Sequence, residues 1–297
     1  MTSAGLPPAP TEEEAFVADL TKASTSRTVE TPSGTLHYQE AGEGYPLILM
    51  HGSGAGATGW VNFSNNIGPL AEQFHVYAVD APGWGDSHAT TYEQFDHVAA
   101  HIEFMDALGI EKAALVGNSM GGITAIHLTA LHPDRVSHLI TMGSGSTRAP
   151  KLFSPGDGPT EGLKVLQLCY RQPTFENMSL LCQIMMFDPG DRVDALAQER
   201  LESAASHPEH LENFLDGLSK GGPIRKWFAA EDLLGIRTPT LLFHGRDDRV
   251  VPYEHSLLLL AHIPNSRLVL FNRCGHWAMI EHPAEFNRMV ADFIHHN

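Results

Sequence analysis

Short apolar runs of strand length recur along the chain, separated by stretches in which apolar residues return every three or four positions. Leu47–Met50, Val76–Asp80, Ala113–Gly117, Val136–Met142, Thr240–His244 and Leu268–Phe271 read as strands, being short and dominated by apolar residues. Helices are expected near Val61–Glu72 and Phe95–Leu108, over Met120–Leu131 and Glu254–Ile263, and from Pro283 onward. Parallel strands need a crossover, so this alternation predicts a mostly parallel sheet with helices on both faces. Ahead of it, Ser33-Gly34 between Thr28-Val29 and Leu36-His37-Tyr38 predicts a hairpin.

The strand rhythm stops after Ser144. From Pro159 to about Leu234 the chain reads as several helices broken by Pro173, Pro189, Pro208 and Pro223. This predicts a helical cap over residues 146–234 inserted into a core made of residues 27–145 and 235–297. Residues 1–26 form an extension, in which Thr11 and Glu14 make a capping box for a helix carrying Phe16, Val17 and Leu20.

Composition narrows the class. With 42% hydrophobic and 18% charged residues the chain is expected to be a globular enzyme or binding protein. The 19 basic against 35 acidic residues leave a net charge of -16, which opposes general affinity for nucleic acid or anionic membrane. An anionic ligand would need a local cation. No stretch is apolar for long enough to span a bilayer, and no export signal is read. Cys169, Cys182 and Cys274 are odd in number and fit no metal spacing, which points to free thiols and a cytoplasmic location.

Gly117-Asn118-Ser119-Met120-Gly121 fits Gly-x-Ser-x-Gly between a strand and a helix, the context of a nucleophile elbow. A serine hydroxyl needs a base, and the base needs a carboxylate to hold it. In this chain order both should follow the serine, in loops after strands. His276 stands in one such loop and Asp247 and Asp248 in another. Asp248, four residues before Pro252, is the expected acid, while Asp247 can pair with an arginine. For the oxyanion hole, Met120 offers one backbone amide and Ser53, in His51-Gly-Ser-Gly-Ala-Gly, the other. His51 itself is read as structural.

A rival reading exists. Gly54 to Gly59 is formally Gly-x-Gly-x-x-Gly, and Asp80 lies at a ribose-binding distance along the chain. The three-part serine, acid and histidine match outweighs it, so no organic cofactor is expected. His207-Pro-Glu-His210 has helical spacing but lacks further ligands, so no metal is expected either.

The elbow, the acid and histidine loops and the helical insertion resemble the α/β-hydrolase family. Within it, His51-Gly-Ser-Gly-Ala-Gly-Ala, Trp60-Val-Asn62, Asn118, Arg200, Gly-Arg-Asp-Asp-Arg and Cys-Gly-His-Trp277 resemble the meta-cleavage product hydrolases. That resemblance implies hydrolysis of a carbon–carbon bond in an anionic 2-hydroxy-6-oxo-dienoate, with Asn62, Asn118, Arg200 and Trp277 contacting substrate. It also implies a homo-oligomer. Ser53 and Ala55 depart from the usual His-Gly-Gly-Gly-Pro-Gly, and Met185 stands where an aromatic residue is common. Phe153, Met185, Met186 and Phe187 are candidates for the distal end of the pocket. A carboxylesterase and a non-catalytic ligand-binding protein are the alternatives.

Overall fold

The computed structural model describes residues 20–145, 158–220 and 230–297. In chain order come α1 (Lys22–Thr25), β1 (Ser26–Thr31), β2 (Gly34–Ala41), β3 (Tyr45–Met50), α2 (Gly59–Ala71), β4 (Phe74–Val79), α3 (His97–Ala107), β5 (Ala113–Asn118), α4 (Met120–Leu131) and β6 (Val136–Met142). Helices α5 (Glu161–Arg171), α6 (Phe175–Met185), α7 (Val193–Ser206), α8 (Pro208–Ser219) and α9 (Ala230–Gly235) follow. The chain then returns to the sheet with β7 (Thr240–Gly245), α10 (Glu254–His262), β8 (Ser266–Phe271), α11 (Ala278–Glu281) and α12 (Pro283–His295). Phe153 and the expected helix at Thr11 lie outside the described residues.

The eight strands lie in the order β1-β2-β4-β3-β5-β6-β7-β8. The hairpin β1–β2 and the β2–β4 pair are antiparallel, and every other pair is parallel. Along β3 the side chains alternate between the two faces. Leu47 and Leu49 join one core cluster while Ile48 and Met50 join the other. Both faces are therefore buried, which is why the central strands read as continuous apolar runs.

Local signals set the helix ends. Thr58, Asp96, Thr160 and Thr174 each accept a backbone N–H from the first turn of the helix they precede. Pro208 occupies the first turn of α8, where its missing N–H costs nothing. The carboxyl ends of β3, β5, β7 and β8 face the inserted helices, the usual position for a site in an α/β sheet.

Candidate active site

Strand β5 ends at Asn118 and α4 starts at Met120, so Ser119 makes the turn between them. Its backbone is forced to φ 53° and ψ -114°, a strain of about 1–3 kcal/mol for a residue with a side chain. The surroundings hold it there. Ser119 N–H donates to Met142 O at 2.8 Å, and Ser119 O accepts from Ile123 N–H at 3.0 Å. A Cβ on Gly117 would meet the Gly121 backbone at 2.4 Å, and one on Gly121 would meet Met50 O at 2.2 Å. The elbow's glycines are thus required by close packing of the turn against β3.

The loop after β7 supplies Asp248 and the loop after β8 supplies His276. His276 Nδ1 faces Asp248 Oδ2 at 2.7 Å. A carboxylate only accepts, so Nδ1 carries the proton and Nε2 is left as the basic nitrogen. Asp248 is fully buried, and its Oδ1 takes the N–H groups of Val250 and Val251 at 2.7 and 3.0 Å. Burial works to raise its pKa, but the charge and hydrogen bonds of His276 and His244 more than offset it and hold the carboxyl well below the usual range. Asp247 instead lies 3.3 Å from Arg246 Nη2. Ser119 and His276 line one cavity, although no hydrogen bond joins their side chains among the described residues.

Three residues not singled out from the sequence support this arrangement. His244, at the end of β7, places Nε2 2.8 Å from Val251 O and 3.2 Å from Asp248 Oδ2. Glu281 accepts the Gly275 N–H at 2.6 Å with one oxygen and the Phe187 and Asp188 N–H groups with the other, tying the histidine loop to the end of α6. Tyr170 on α5 donates its hydroxyl to Ser53 O at 2.7 Å. None belongs to a local motif; the folded structure reveals them.

The glycine loop after β3 carries Ser53. His51 Nδ1 donates to Gly52 O at 2.8 Å, and His51 Nε2 accepts from Ala81 N–H at 3.0 Å. Complete burial lowers the pKa of His51, which favours this neutral tautomer. Because the peptide is planar, fixing Gly52 O fixes the opposed direction of Ser53 N–H. Met120 N–H lies at the start of α4, where backbone donors are unpaired by the helix itself.

Arg200 reaches into the site from α7 and is only 1% exposed. Its Nη1 donates to Ala55 O at 3.2 Å and its Nη2 to Asn62 Oδ1 at 3.3 Å, with the guanidinium 4.5 Å from the Trp277 ring centre. Its Nε has no partner, and among the described residues no carboxylate pairs with it. Asn62 Nδ2 in turn donates to Asn118 Oδ1 at 3.4 Å, and Asn118 Nδ2 to Met142 O and His276 O at 3.2 and 3.3 Å. A single polar chain therefore runs from the arginine to the histidine loop. Gly52, Ser53, Asn62, Asn118, Ser119, Leu166, Met185, Arg200, His276 and Trp277 border one cavity of about 10 Å³, room for one water.

Other expectations resolve differently. Of the distal candidates, Met185 borders the cavity and Met186 is buried, but Phe187 is 39% exposed and lies 4.9 Å from the guanidinium of Arg273. Asp80 is occupied structurally: Oδ1 accepts Gly59 N–H at 2.6 Å, and Oδ2 accepts Asp86 N–H and faces His37 Nδ1 at 2.8 Å. Gly54 and Gly56 of the rival motif pack against Arg200. Each ring nitrogen of His207 faces a carboxylate, Asp86 on one side and Glu209 on the other.

A strained serine on a strand-to-helix turn, with a carboxylate-bound histidine beside it, is the geometry of an elbow hydrolase. Residues 47–289 match the model of the alpha/beta hydrolase family. The chain belongs to this family. Within the alpha/beta hydrolase family it resembles the meta-cleavage product hydrolases. It is 41% identical over 292 residues to a 2-hydroxy-6-oxononadienedioate/2-hydroxy-6-oxononatrienedioate hydrolase of Cupriavidus pinatubonensis, covering 95% of this chain and 99% of that one. To a 2-hydroxy-6-oxo-6-phenylhexa-2,4-dienoate hydrolase of Comamonas testosteroni it is 39% identical, covering 94% and 99%. A crystal structure of a meta-cleavage product hydrolase from Pseudomonas fluorescens IP01 superposes with a TM-score of 0.80 at 32% identity, covering 92% and 99%. This alpha/beta hydrolase is an enzyme acting on a small molecule, and among its described residues no helix is long and apolar enough to cross a membrane.

Proposed function

We propose that the enzyme hydrolyses the carbon–carbon bond next to the ketone of a 2-hydroxy-6-oxo-dienoate formed by ring cleavage in aromatic catabolism. The observation that carries this reading is Arg200, a buried guanidinium without a carboxylate partner among the described residues. An uncompensated buried charge costs several kcal/mol, so a site that retains one is built for an anion. The substrate's carboxylate supplies it, and Trp277 covers the guanidinium face.

The chemistry follows in balanced steps. The dienol loses its hydroxyl proton and gains one on C5, giving a ketone at C2 conjugated to a C3–C4 double bond. Ser119 Oγ then attacks the C6 carbonyl while His276 Nε2 takes its proton. The oxyanion formed at C6 is met by the N–H groups of Ser53 and Met120. On collapse the C5–C6 bond breaks, and its electron pair flows through the C3–C4 double bond to the C2 oxygen, which takes up a proton. Water delivered by His276 then releases the acid from Ser119. Asp248 keeps His276 in the reactive tautomer throughout. Three unpaired, buried cysteines agree with a reducing, cytoplasmic setting.

The test is direct. Purified enzyme is given a 2-hydroxy-6-oxo-dienoate and, separately, short acyl esters. Loss of the dienoate chromophore should far outpace ester turnover and vanish in Ser119→Ala. Comparable or faster ester turnover would convert the assignment to a carboxylesterase.

A further inference from the structure

The geometry points to Tyr170 of the inserted helices as a positioning residue that sets the Ser53 oxyanion donor only when α5 is seated on the core. This rests on the proposed role of Ser53 in binding the oxyanion.

Tyr170 joins three parts of the molecule. Its hydroxyl donates to Ser53 O at 2.7 Å and accepts from Trp84 Nε1–H at 3.0 Å. Trp84 lies in the loop after β4, and an indole N–H can only donate, so the direction of both bonds is fixed. The phenol ring stacks on Phe214 of α8, with centres 3.8 Å apart and planes 12° from parallel. Tyr170 is only 3% exposed. Burial raises its pKa far above the ordinary phenol value, so the hydroxyl remains a donor at any working pH.

The consequence lies in the glycine loop. His51 holds the peptide before Ser53 by its carbonyl, and Tyr170 holds the peptide after it. Between two pinned peptides, the dihedrals of Ser53 have little freedom, and its N–H direction is set. His51 belongs to the core and makes its bond whatever the inserted helices do. Tyr170 comes from α5, so its bond is lost whenever α5 lifts. The cavity beside Ser119 is bordered by Leu166 of α5 and Arg200 of α7, so the helices that carry the bond to Ser53 O also wall the site that substrate must enter. A departure of α5 during entry breaks that bond, and its return restores it. Binding thereby assembles the oxyanion donor, a gain confined to the transition state.

The experiment uses Tyr170→Phe in the full chain, which keeps the stacked ring and removes only the hydroxyl. Measured are kcat and KM for a 2-hydroxy-6-oxo-dienoate, the melting temperature, and the affinities for benzoate and phenylboronic acid. Benzoate reports the ground-state carboxylate site. Phenylboronic acid forms a tetrahedral adduct on Ser119 and so reports the oxyanion donors. The expected result is a kcat lower by roughly 10- to 100-fold, a similar loss of boronic acid affinity, and unchanged KM, benzoate affinity and melting temperature. Trp84→Phe, which leaves Tyr170 in place but removes the bond that orients it, should give a smaller loss of the same kind. Unchanged kcat in Tyr170→Phe would overturn the inference, as would equal loss of benzoate and boronic acid affinity. If Tyr170→Phe fails to fold, Trp84→Phe decides by the same criteria. Dienoate turnover that survives Ser119→Ala would overturn the functional reading and this inference together. Normal dependence on Ser119 with an indifferent Tyr170 would overturn the inference alone.

Discussion

His244 Nε2 lies 3.2 Å from Asp248 Oδ2, the same carboxylate oxygen that faces His276 Nδ1 at 2.7 Å. Two imidazoles thus share one acceptor, and both are almost wholly buried. His244 is fixed from its other side by the Ser256 hydroxyl at 2.7 Å. Its Nε2–H also reaches Val251 O at 2.8 Å. It therefore braces both the acid and the turn that carries it. In His244→Leu, Asp248 should lose one of its donors and some of its fixed orientation. We expect kcat to fall by about 10- to 100-fold, the equivalent of one hydrogen bond to a charged group, with little change in KM. Steady-state kinetics on the purified variant check this, and wild-type kcat would remove His244 from the machinery.

Arg200→Met should separate binding from stability. On the proposed role of Arg200 the dienoate carboxylate loses its partner, so kcat/KM for the dienoate should drop by about 10²-fold or more, against a small change for neutral esters. The melting temperature should rise at the same time, because a buried charge with no carboxylate beside it among the described residues gives way to an apolar side chain of similar volume. Parallel kinetics on both substrates and a thermal melt read the two effects. Equal losses on both substrates would remove the anion-binding role.

Ser119 stores strain that a glycine would release. Ser119→Gly and Ser119→Ala both lack the proposed nucleophile and should both be inactive. The glycine variant accepts φ 53° freely, whereas alanine retains the strain. Ser119→Gly should therefore unfold about 1 kcal/mol later than Ser119→Ala in urea. The reverse order would show that the elbow is relaxed.

Gly56 and Gly109 have nearly the same positive φ, 66° and 68°, in different surroundings. A Cβ at Gly56 would lie 2.0 Å from the backbone oxygen of Arg200, while one at Gly109 meets nothing within 4 Å. Gly109→Ala should cost only the conformational strain, about 1 kcal/mol, and keep full activity. Gly56→Ala should cost a further 1–3 kcal/mol, roughly the usual overpacking penalty, and push α7 and its arginine out of position. Denaturation and kinetics on the pair distinguish packing from backbone strain.

His101 makes stability depend on pH away from the site. It is buried on α3, its Nδ1 donates to His97 O, and among the described residues its Nε2 has no partner. Burial lowers its pKa from 6.5 to about 4. The unfolded chain thus binds the proton first as pH falls. Its contribution is complete above pH 6.5 and disappears as pH falls to about 4, a loss of roughly 3 kcal/mol. His101→Met should abolish that part of the slope. Urea midpoints between pH 7 and 4, compared with wild type, measure it; identical slopes would contradict the burial effect.

The strands and helices of the sheet were legible because each is dictated by neighbours in sequence. Apolar runs marked β3 to β8, and prolines marked helix boundaries. The elbow was legible for the same reason, since two glycines, a strand and a helix within a few residues define it. The short α11 was not read, because its turns are set by packing of the histidine loop. Nor did the apolar character of Phe187 decide its place, since its backbone N–H is held by Glu281 and its side chain is part-exposed.

Sequence by itself determined the elbow at Ser119, the chain order of Ser119, Asp248 and His276 in loops after strands, and the cation carried by Arg200. Tertiary structure alone decided that His244 braces Asp248, that Arg200 stands over Trp277 with no carboxylate beside it among the described residues, and that Tyr170 reaches the glycine loop at Ser53. Those contacts join residues 4, 77 and 117 positions apart. Even the shortest of them depends on how a turn closes, because hydrogen bonds and burial are properties of distance in space, which local pattern does not encode.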